Sequence, residues 1–221
     1  MKNTIAILGS TGSIGKTLLN IISKDKKKFD IILLSANKNY KELIKQTKKF
    51  KVKNVIINDD SSYQKFLKHN KNHNLKIFSS FNDYKKIFNK KIDYTMSSIV
   101  GLEGLDPTIN IIKFTKKIAI ANKESIICAW NLIDKELKKH KTNFIPVDSE
   151  HFSIWYAINN TLIKNIDKIY LTASGGPLLN IPKKKFNHLK INQIVKHPNW
   201  KMGRKISVDS STMMNKVFEI I

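Results

Sequence analysis

The sequence has little cysteine, arginine or proline, and it has no long apolar run. The one cysteine among 221 residues, Cys128, excludes an internal disulfide, and we place it on the buried face of a helix. No apolar stretch reaches the ~18–20 residues that span a bilayer, which excludes a transmembrane protein. The N-terminus lacks the apolar core and cleavage site of a signal peptide, so we expect a cytoplasmic protein. A hydrophobic content of 41% is enough for a packed core, which excludes bulk disorder.

Acidic residues are also scarce, and the basic residues are almost all lysine. Forty basic residues face 17 acidic ones, which gives a net charge of +23. This charge raises the hypothesis of a nucleic-acid-binding protein, but Arg204 is the only arginine and arginine is the main base-reading side chain. The lysines are dispersed, and the abundance of Lys, Ile and Asn is typical of an AT-rich genome. We therefore expect neither a nucleic-acid nor a membrane partner, and the charge would attract anionic substrates.

Short apolar runs alternate with helical patterns along the first two thirds of the chain. The runs predict strands at 5–8, 29–35, 54–57, 76–78, 94–97, 117–121 and 143–147. Helical patterns are clearest at 14–23, 40–49 and 62–68. Apolar strands that alternate with helices indicate an α/β fold with a parallel sheet covered on both faces. The pattern becomes less regular near Asp148, so we predict one domain over 1–147 and a second over 148–221.

A glycine-rich turn follows the first predicted strand. Gly9, Gly12 and Gly15 form a G-x-x-G-x-x-G pattern before the first helix. Glycines let the backbone approach a pyrophosphate, and the helix N-terminus offers N–H donors, so the pattern predicts a dinucleotide site. The second strand is followed by Asn37-Lys38-Asn39, where an enzyme selective for NAD would carry an acidic residue. Lys38 suits a 2′-phosphate and favours NADP, unless it is simply one more solvated lysine.

Carboxylates and hydroxyls are concentrated in the last third. Asp148 and Glu150 follow the last predicted strand, and on an extended segment residues i and i+2 point to the same side. They could share a hard divalent cation, although surface pairs of this kind are common. Hydroxyl, amide and lysine side chains recur over 172–177 and 197–219, a combination that suits a phosphate monoester.

The motifs together resemble one enzyme family. The matching stretches are GSTGSIG (9–15), IANKES (120–125), PVDSEH (146–151), ASGGP (173–177) and HPNWKMGRKISVDSSTMMNK (197–216). They resemble the 1-deoxy-D-xylulose 5-phosphate reductoisomerases of the non-mevalonate isoprenoid pathway. The resemblance implies a Rossmann-like doubly wound parallel sheet followed by an incomplete α+β catalytic domain. It also implies rearrangement and NADPH-dependent reduction of 1-deoxy-D-xylulose 5-phosphate to 2-C-methyl-D-erythritol 4-phosphate, with a divalent metal.

The resemblance implies roles for individual residues. The residues that would contact NADPH are Thr11, Gly12, Ser13, Ile14, Asn37, Lys38, Asn39, Asn122, Glu124 and Gly203. The residues that would contact the substrate are Lys123, Ser149, Glu150, Ser174, His197, Ser210, Asn215, Lys216 and Glu219. Lys123, Glu150 and His197 would be catalytic, and His197 would lie with Trp200 on a flap that closes over the substrate. Asp148, Glu150 and Glu219 would ligate Mn²⁺, Mg²⁺ or Co²⁺.

The chain ends two residues after Glu219, whereas members of this family are longer. We therefore expect a truncated catalytic domain and little or no activity of this chain alone, and a homodimer at full length. Two alternatives from the residues remain: another NADP-dependent reductase of a phosphorylated substrate, and an inactive fragment.

Overall fold

The computed structural model describes residues 2–159, 161–197 and 204–221. The chain divides into two units, Met1–Asp148 and Ser149–Ile221. The predicted domain boundary lay between residues 147 and 148. None of the described helices has the length and apolar character that crossing a bilayer would require.

The first unit is built around a seven-stranded sheet in which every neighbouring pair is parallel. The strand order is β4-β3-β2-β1-β5-β6-β7. The strands are β1 (Asn3–Leu8), β2 (Phe29–Ala36), β3 (Asn54–Ile57), β4 (Lys76–Phe78), β5 (Ile92–Ser97), β6 (Thr115–Ile120) and β7 (Asn143–Pro146). The two central strands, β1 and β2, are apolar and largely buried because helices cover both faces of the sheet.

Six helices of the first unit form the two outer layers. They are α1 (Ser13–Lys24), α2 (Tyr40–Phe50), α3 (Asp60–His69), α4 (Tyr84–Ile87), α5 (Leu105–Ile111) and α6 (Lys123–His140). Leu19, Leu43 and Phe66 from α1, α2 and α3 pack on one face of the sheet. Tyr84 and Ile133 from α4 and α6 pack on the other. The sheet therefore has a separate apolar core on each side.

The strand order places a crevice at the centre of the sheet. From β1 the chain moves through β2 and β3 to one edge, and from β5 it moves to the other edge. The loops that leave the carboxyl ends of β1 and β5 therefore diverge. Ligands of open α/β sheets bind at such a switch point. The glycine-rich turn after β1 lies at this position.

The structure confirms the predicted α/β architecture and corrects two local predictions. Each predicted strand and helix is present, with ends shifted by no more than two residues. Cys128 is exposed, so its predicted burial is wrong. The extended conformation predicted for 148–150 is also wrong, because Ser149 begins a helix directly after β7 and Glu150 lies in its first turn.

Over its described residues, the second unit contains four α-helices and no strand. The helices are α7 (Ser149–Ile158), α8 (Ile191–Ile194), α9 (Arg204–Ser211) and α10 (Met214–Ile220). The described residues that are buried here are Gly176, His197, Ser207 and Glu219. Three of these four are polar, so this unit is organised around polar side chains instead of an apolar core.

Candidate functional site

The glycine-rich turn is shaped by close backbone contacts. Gly9 has a φ of +78°, and a Cβ atom there would lie 2.8 Å from the Ser98 carbonyl oxygen after β5. A Cβ atom on Gly15 would lie 2.6 Å from the Gly9 oxygen. Both positions therefore require glycine. Gly12 precedes α1 and provides no side-chain cap, which leaves the first-turn amides facing the open side of the turn.

The predicted cofactor residues on this turn are accessible. Gly12 and Ser13 are exposed, Thr11 is half-buried and Ile14 is 38% exposed. Free amides at the N-terminus of a twelve-residue helix attract a phosphate through their N–H groups and the helix dipole. The geometry therefore fits a dinucleotide pyrophosphate.

A buried polar network lies beneath the turn. The Ser10 amide donates to the Ser35 carbonyl oxygen (2.8 Å), and the Gly9 amide donates to the Ser35 hydroxyl (3.0 Å). The Ser10 hydroxyl donates to Gln46 Oε1 at 2.7 Å, and Gln46 Nε2 donates back to the Ser10 carbonyl oxygen at 3.0 Å. All three side chains are buried. The network joins the glycine turn to the end of β2 and to the inner face of α2.

The residues predicted to select the cofactor lie on the turn between β2 and α2. Asn37, Lys38 and Asn39 are all exposed. The Asn39 side chain caps α2 by accepting from the Glu42 amide at 3.3 Å, and the Lys38 carbonyl oxygen accepts from the Ser62 hydroxyl at 3.1 Å. These bonds fix the backbone of the turn while the Lys38 side chain extends into solvent.

The start of α6 holds two further predicted residues. The Asn122 side chain donates to the carbonyl oxygens of Ile99 (2.7 Å) and Gly101 (2.5 Å) and accepts from the Ser125 amide. Its amide is thus engaged within the first unit, and a cofactor contact by Asn122 would come from its backbone. Next to it, Lys123 forms an ion pair with Asp148 (2.9 Å), with both side chains mostly buried.

Two of the three predicted metal ligands lie together in the second unit. Carboxylate oxygens of Glu150, on α7, and Glu219, on α10, lie within 4.8 Å of each other. Lys216 donates to Glu150 at 2.6 Å and to Glu219 at 2.5 Å. Asn215 donates to the second Glu219 oxygen at 2.7 Å. One turn of α10 therefore brings a cation and an amide against two carboxylates.

In this cluster the positive charge of Lys216 and the negative charges of Glu150 and Glu219 stabilise one another. Burial alone lowers the pKa of Lys216, and it is the largest single effect on that group. The hydrogen bonds and negative charges of Glu150 and Glu219 together outweigh burial, so the pKa of Lys216 is raised. Lys216 stays protonated, and its ammonium supplies the positive charge that the fully buried Glu219 side chain requires.

A second group of predicted substrate residues surrounds the ASGGP turn. The Ser174 hydroxyl and Nε2 of the buried His197 lie 3.0 Å apart, and the Gly176 amide donates to the Ser174 hydroxyl. A Cβ atom on Gly176 would lie 2.7 Å from the Ser210 carbonyl oxygen, so this glycine lets the turn approach the end of α9. Ser174, His197 and Ser210 are thus neighbours around one turn. Trp200 and Gly203 lie outside the described residues.

The sequence motifs did not reveal two features of this chemistry. Gln46 lies outside every motif, and its partner Ser10 is 36 positions away. Lys216 was predicted as a phosphate ligand, but its bonds to two carboxylates were not anticipated. The one signal for Gln46 in the sequence is that a polar residue stands at a helical position where an apolar residue is expected.

Two family models match the chain over most of its length. Residues 5–130 match the model described as 1-deoxy-D-xylulose 5-phosphate reductoisomerase, and residues 144–221 match the C-terminal domain of the same enzyme. A reductoisomerase of Pelagibacter ubique is 61% identical over 219 residues, which cover 98% of this chain and 56% of the relative. A Wolbachia pipientis reductoisomerase is 41% identical over 218 residues, again 56% of the relative. The chain therefore spans little more than half the length of these relatives.

Solved structures agree with these matches. The reductoisomerase of Zymomonas mobilis in complex with NADPH superposes with a TM-score of 0.85 at 32% identity, covering 100% of this chain and 57% of that one. A DOX-P reductoisomerase in complex with NADPH, fosmidomycin and magnesium superposes with a TM-score of 0.86 at 34% identity, covering 99% and 56%. With a family model matched over more than half of its residues, this chain belongs to the 1-deoxy-D-xylulose 5-phosphate reductoisomerase family.

Proposed function

We propose that this chain carries the NADPH-binding domain and part of the active site of an enzyme that rearranges and reduces 1-deoxy-D-xylulose 5-phosphate. The product would be 2-C-methyl-D-erythritol 4-phosphate. The observation that carries the proposal is the coexistence, in one chain, of a glycine turn fitted to a pyrophosphate and a carboxylate pair held around a cation. A simple NADP-dependent reductase would need the first feature but not the second.

The cofactor half of the proposal rests on the first unit. Thr11, Ser13 and Ile14 would bind the pyrophosphate through their amides at the open N-terminus of α1. Gly12, whose own amide donates to the Gly9 carbonyl oxygen, would let the pyrophosphate approach the backbone closely. Lys38 would pair with the 2′-phosphate from the neighbouring turn, flanked by Asn37 and Asn39. Glu124 and Gly203 complete the proposed cofactor contacts. NADPH is the cofactor found in two of the related structures.

The metal half rests on hard oxygen ligands. Glu150 and Glu219 already hold one cation, the Lys216 ammonium, between their carboxylates. Asp148 lies two residues before Glu150 in sequence and would supply a third carboxylate. Mg²⁺, Mn²⁺ and Co²⁺ accept such oxygen ligands, and magnesium is present in related structures. When bound, the metal would polarise the substrate oxygens and NADPH would supply the hydride.

The remaining proposed residues would bind and orient the substrate. Ser174, Ser210, Asn215 and Lys216 offer the hydroxyl, amide and ammonium donors that a phosphate monoester accepts. His197 is buried beside Ser174 and would close over the bound substrate. Lys123 and Ser149 would contact the substrate near the metal ligands. The homodimer expected at full length and the cytoplasmic location stay predictions.

A chimera tests the proposal. Residues 1–221 would replace the matching part of the Pelagibacter ubique relative, and the rest of that relative would complete the protein. We expect NADPH oxidation only when both 1-deoxy-D-xylulose 5-phosphate and Mg²⁺ or Mn²⁺ are present. A folded chimera that binds NADPH but oxidises it at the same rate without substrate or metal would overturn the proposal.

A further inference from the structure

Gln46 occupies a position where packing alone would favour an apolar residue. It lies on the inner face of α2 beside Leu43 and is 5% exposed. Burying an amide is costly unless its donor and its acceptor are both satisfied. Gln46 satisfies both on a single residue, Ser10, in the glycine turn. The paired bonds fix the position of that residue.

The bond to the Ser10 carbonyl also orients the next amide. A trans peptide is planar, so its C=O and N–H groups point in opposite directions. Because the Ser10 carbonyl points inward to Gln46, the Thr11 N–H points away from the core. That N–H donates no hydrogen bond in the part of the chain that the structure describes. The outward side is the open face of the turn, where Gly12 and Ser13 are exposed.

The same network reaches the turn that carries Lys38. Ser35 accepts from the Ser10 amide and bonds the Gly9 amide through its hydroxyl, and it lies three residues before Lys38. Gln46 lies on the helix that begins after that turn. The backbone of Lys38 itself is held by a different bond, from the Ser62 hydroxyl to the Lys38 carbonyl oxygen, so the bonds of Gln46 support the glycine-rich turn alone.

We infer that Gln46 is a positioning residue for the cofactor: through Ser10 it holds the Thr11 N–H toward the pyrophosphate. This inference rests on the proposed function for its ligand. Gln46 touches no phosphate itself and acts through the backbone of the turn. Because NADPH and NADH carry the same pyrophosphate, losing Gln46 weakens the binding of both cofactors by the same factor.

The test compares Gln46→Leu with Thr47→Val in the full chain. Thr47 is a buried neighbour whose hydroxyl, among the described residues, bonds to the Ile44 carbonyl oxygen within α2. We expect Gln46→Leu to raise the Kd for NADPH and NADH about tenfold each, the loss of one hydrogen bond to a charged group. Thr47→Val should leave both values within twofold. Gln46→Asn, which keeps an amide but is too short to reach Ser10, serves if the leucine variant does not fold.

Hydrogen exchange of the unliganded chain provides a second readout. The amides of Ser10 and Gly12 are hydrogen-bonded within this region, and they should exchange about tenfold faster in the Gln46 variant than in Thr47→Val. A folded Gln46 variant with unchanged cofactor affinity and unchanged exchange overturns the inference. If the wild-type chain binds neither cofactor, the proposed function fails instead, and the exchange rates alone decide whether Gln46 holds the turn.

Discussion

In the proposed function, single side chains at the carboxyl ends of two strands select the cofactor and hold the metal. Lys38 follows β2, and Asp148 follows β7. The Lys38 carbonyl oxygen accepts from the Ser62 hydroxyl, and the Asp148 side chain is held by its ion pair with Lys123. Each of the two residues contributes one charged group with one proposed ligand, which makes it a suitable position for a single substitution.

The first residue-scale prediction concerns cofactor choice. Lys38→Ala should reduce the preference for NADPH over NADH by about ten- to a hundredfold, because one charged contact to a phosphate contributes about 1.5–3 kcal/mol. Titration of both cofactors by fluorescence measures the ratio of the two Kd values. Lys48→Ala, an exposed lysine in the last turn of α2, is the matched control. An equal affinity of the wild-type chain for both cofactors would contradict the proposed role of Lys38.

The second residue-scale prediction concerns the metal. Asp148→Asn keeps the side-chain shape and removes one negative charge. In the chimera it should abolish turnover, yet leave the Kd for NADPH within about twofold, because the cofactor turn lies at a different strand. Turnover and cofactor titration on the same preparation separate the two effects. Near-normal rates would mean that Asp148 serves only as the ion-pair partner of Lys123.

At the scale of elements, the buried strands were the most predictable part of the chain. The strand at 54–57 reads as a continuous apolar run because both of its faces are covered, and it was predicted with its observed ends. The start of β5 was missed because Asp93 interrupts the apolar pattern. In the structure this carboxylate accepts from the Thr4 amide and hydroxyl on β1 and pairs with Lys116 on β6. Such pairing between distant positions has no local signal.

The candidate site was predictable to a similar extent. The motifs indicated the glycine turn and the residue types around the carboxylates, since those residues are adjacent in sequence. The bond from Lys216 to Glu150 joins residues 66 positions apart, and Glu150 lies in the first turn of a helix where the sequence predicted an extended segment. Tertiary contacts of this kind are decided by the fold as a whole.

Asp93, on β5, bridges three strands through its bonds to Thr4 on β1 and to Lys116 on β6. Its hydrogen bonds with Lys116 and Thr4 lower its pKa below the usual value of about 3.9. A lowered pKa in the folded state means that the stabilisation is present at neutral pH and is lost as the pH falls below about 4. Asp93→Asn should therefore lower the free energy of unfolding by about 1–2 kcal/mol at pH 7, after discounting for solvent exposure.

Urea titrations at pH 7 and pH 3 measure the free energy of unfolding of Asp93→Asn and of the wild-type chain. The difference between Asp93→Asn and wild type should shrink at the lower pH. Asp134→Asn, which breaks an exposed ion pair with Lys138 on α6, is the control and should change the stability by less than about 0.5 kcal/mol. A difference for Asp93→Asn that stays constant across this pH range would contradict the role of its charge.

At the scale of the whole molecule, the two units differ in how they are stabilised. The first has an apolar core on each side of its sheet. The described part of the second buries mostly polar residues and exposes large apolar ones, among them Tyr156, Tyr170, Val208 and Val217. Exposed large apolar side chains favour aggregation when the chain is alone.

We therefore predict that the 221-residue chain folds its first unit and binds NADPH, but turns over substrate far more slowly than the chimera. Glu219, one of the proposed metal ligands, lies on α10, and the chain spans only 56% of the length of the Pelagibacter ubique relative. Assays of both proteins with substrate, NADPH and Mn²⁺ measure the difference. Rates within about tenfold of each other would show that the remaining length of the relatives is dispensable.

The identity of the product is the most direct test of the proposed rearrangement and reduction. Proton NMR of the phosphate ester formed by the chimera distinguishes rearrangement with reduction from reduction alone. Rearrangement gives 2-C-methyl-D-erythritol 4-phosphate, whose methyl group lies on a carbon without hydrogen and appears as a singlet. Reduction alone leaves the methyl group beside a CH(OH) carbon, which splits the signal into a doublet. We expect the singlet, formed only with Mg²⁺ or Mn²⁺ present, and a doublet would overturn the proposed function.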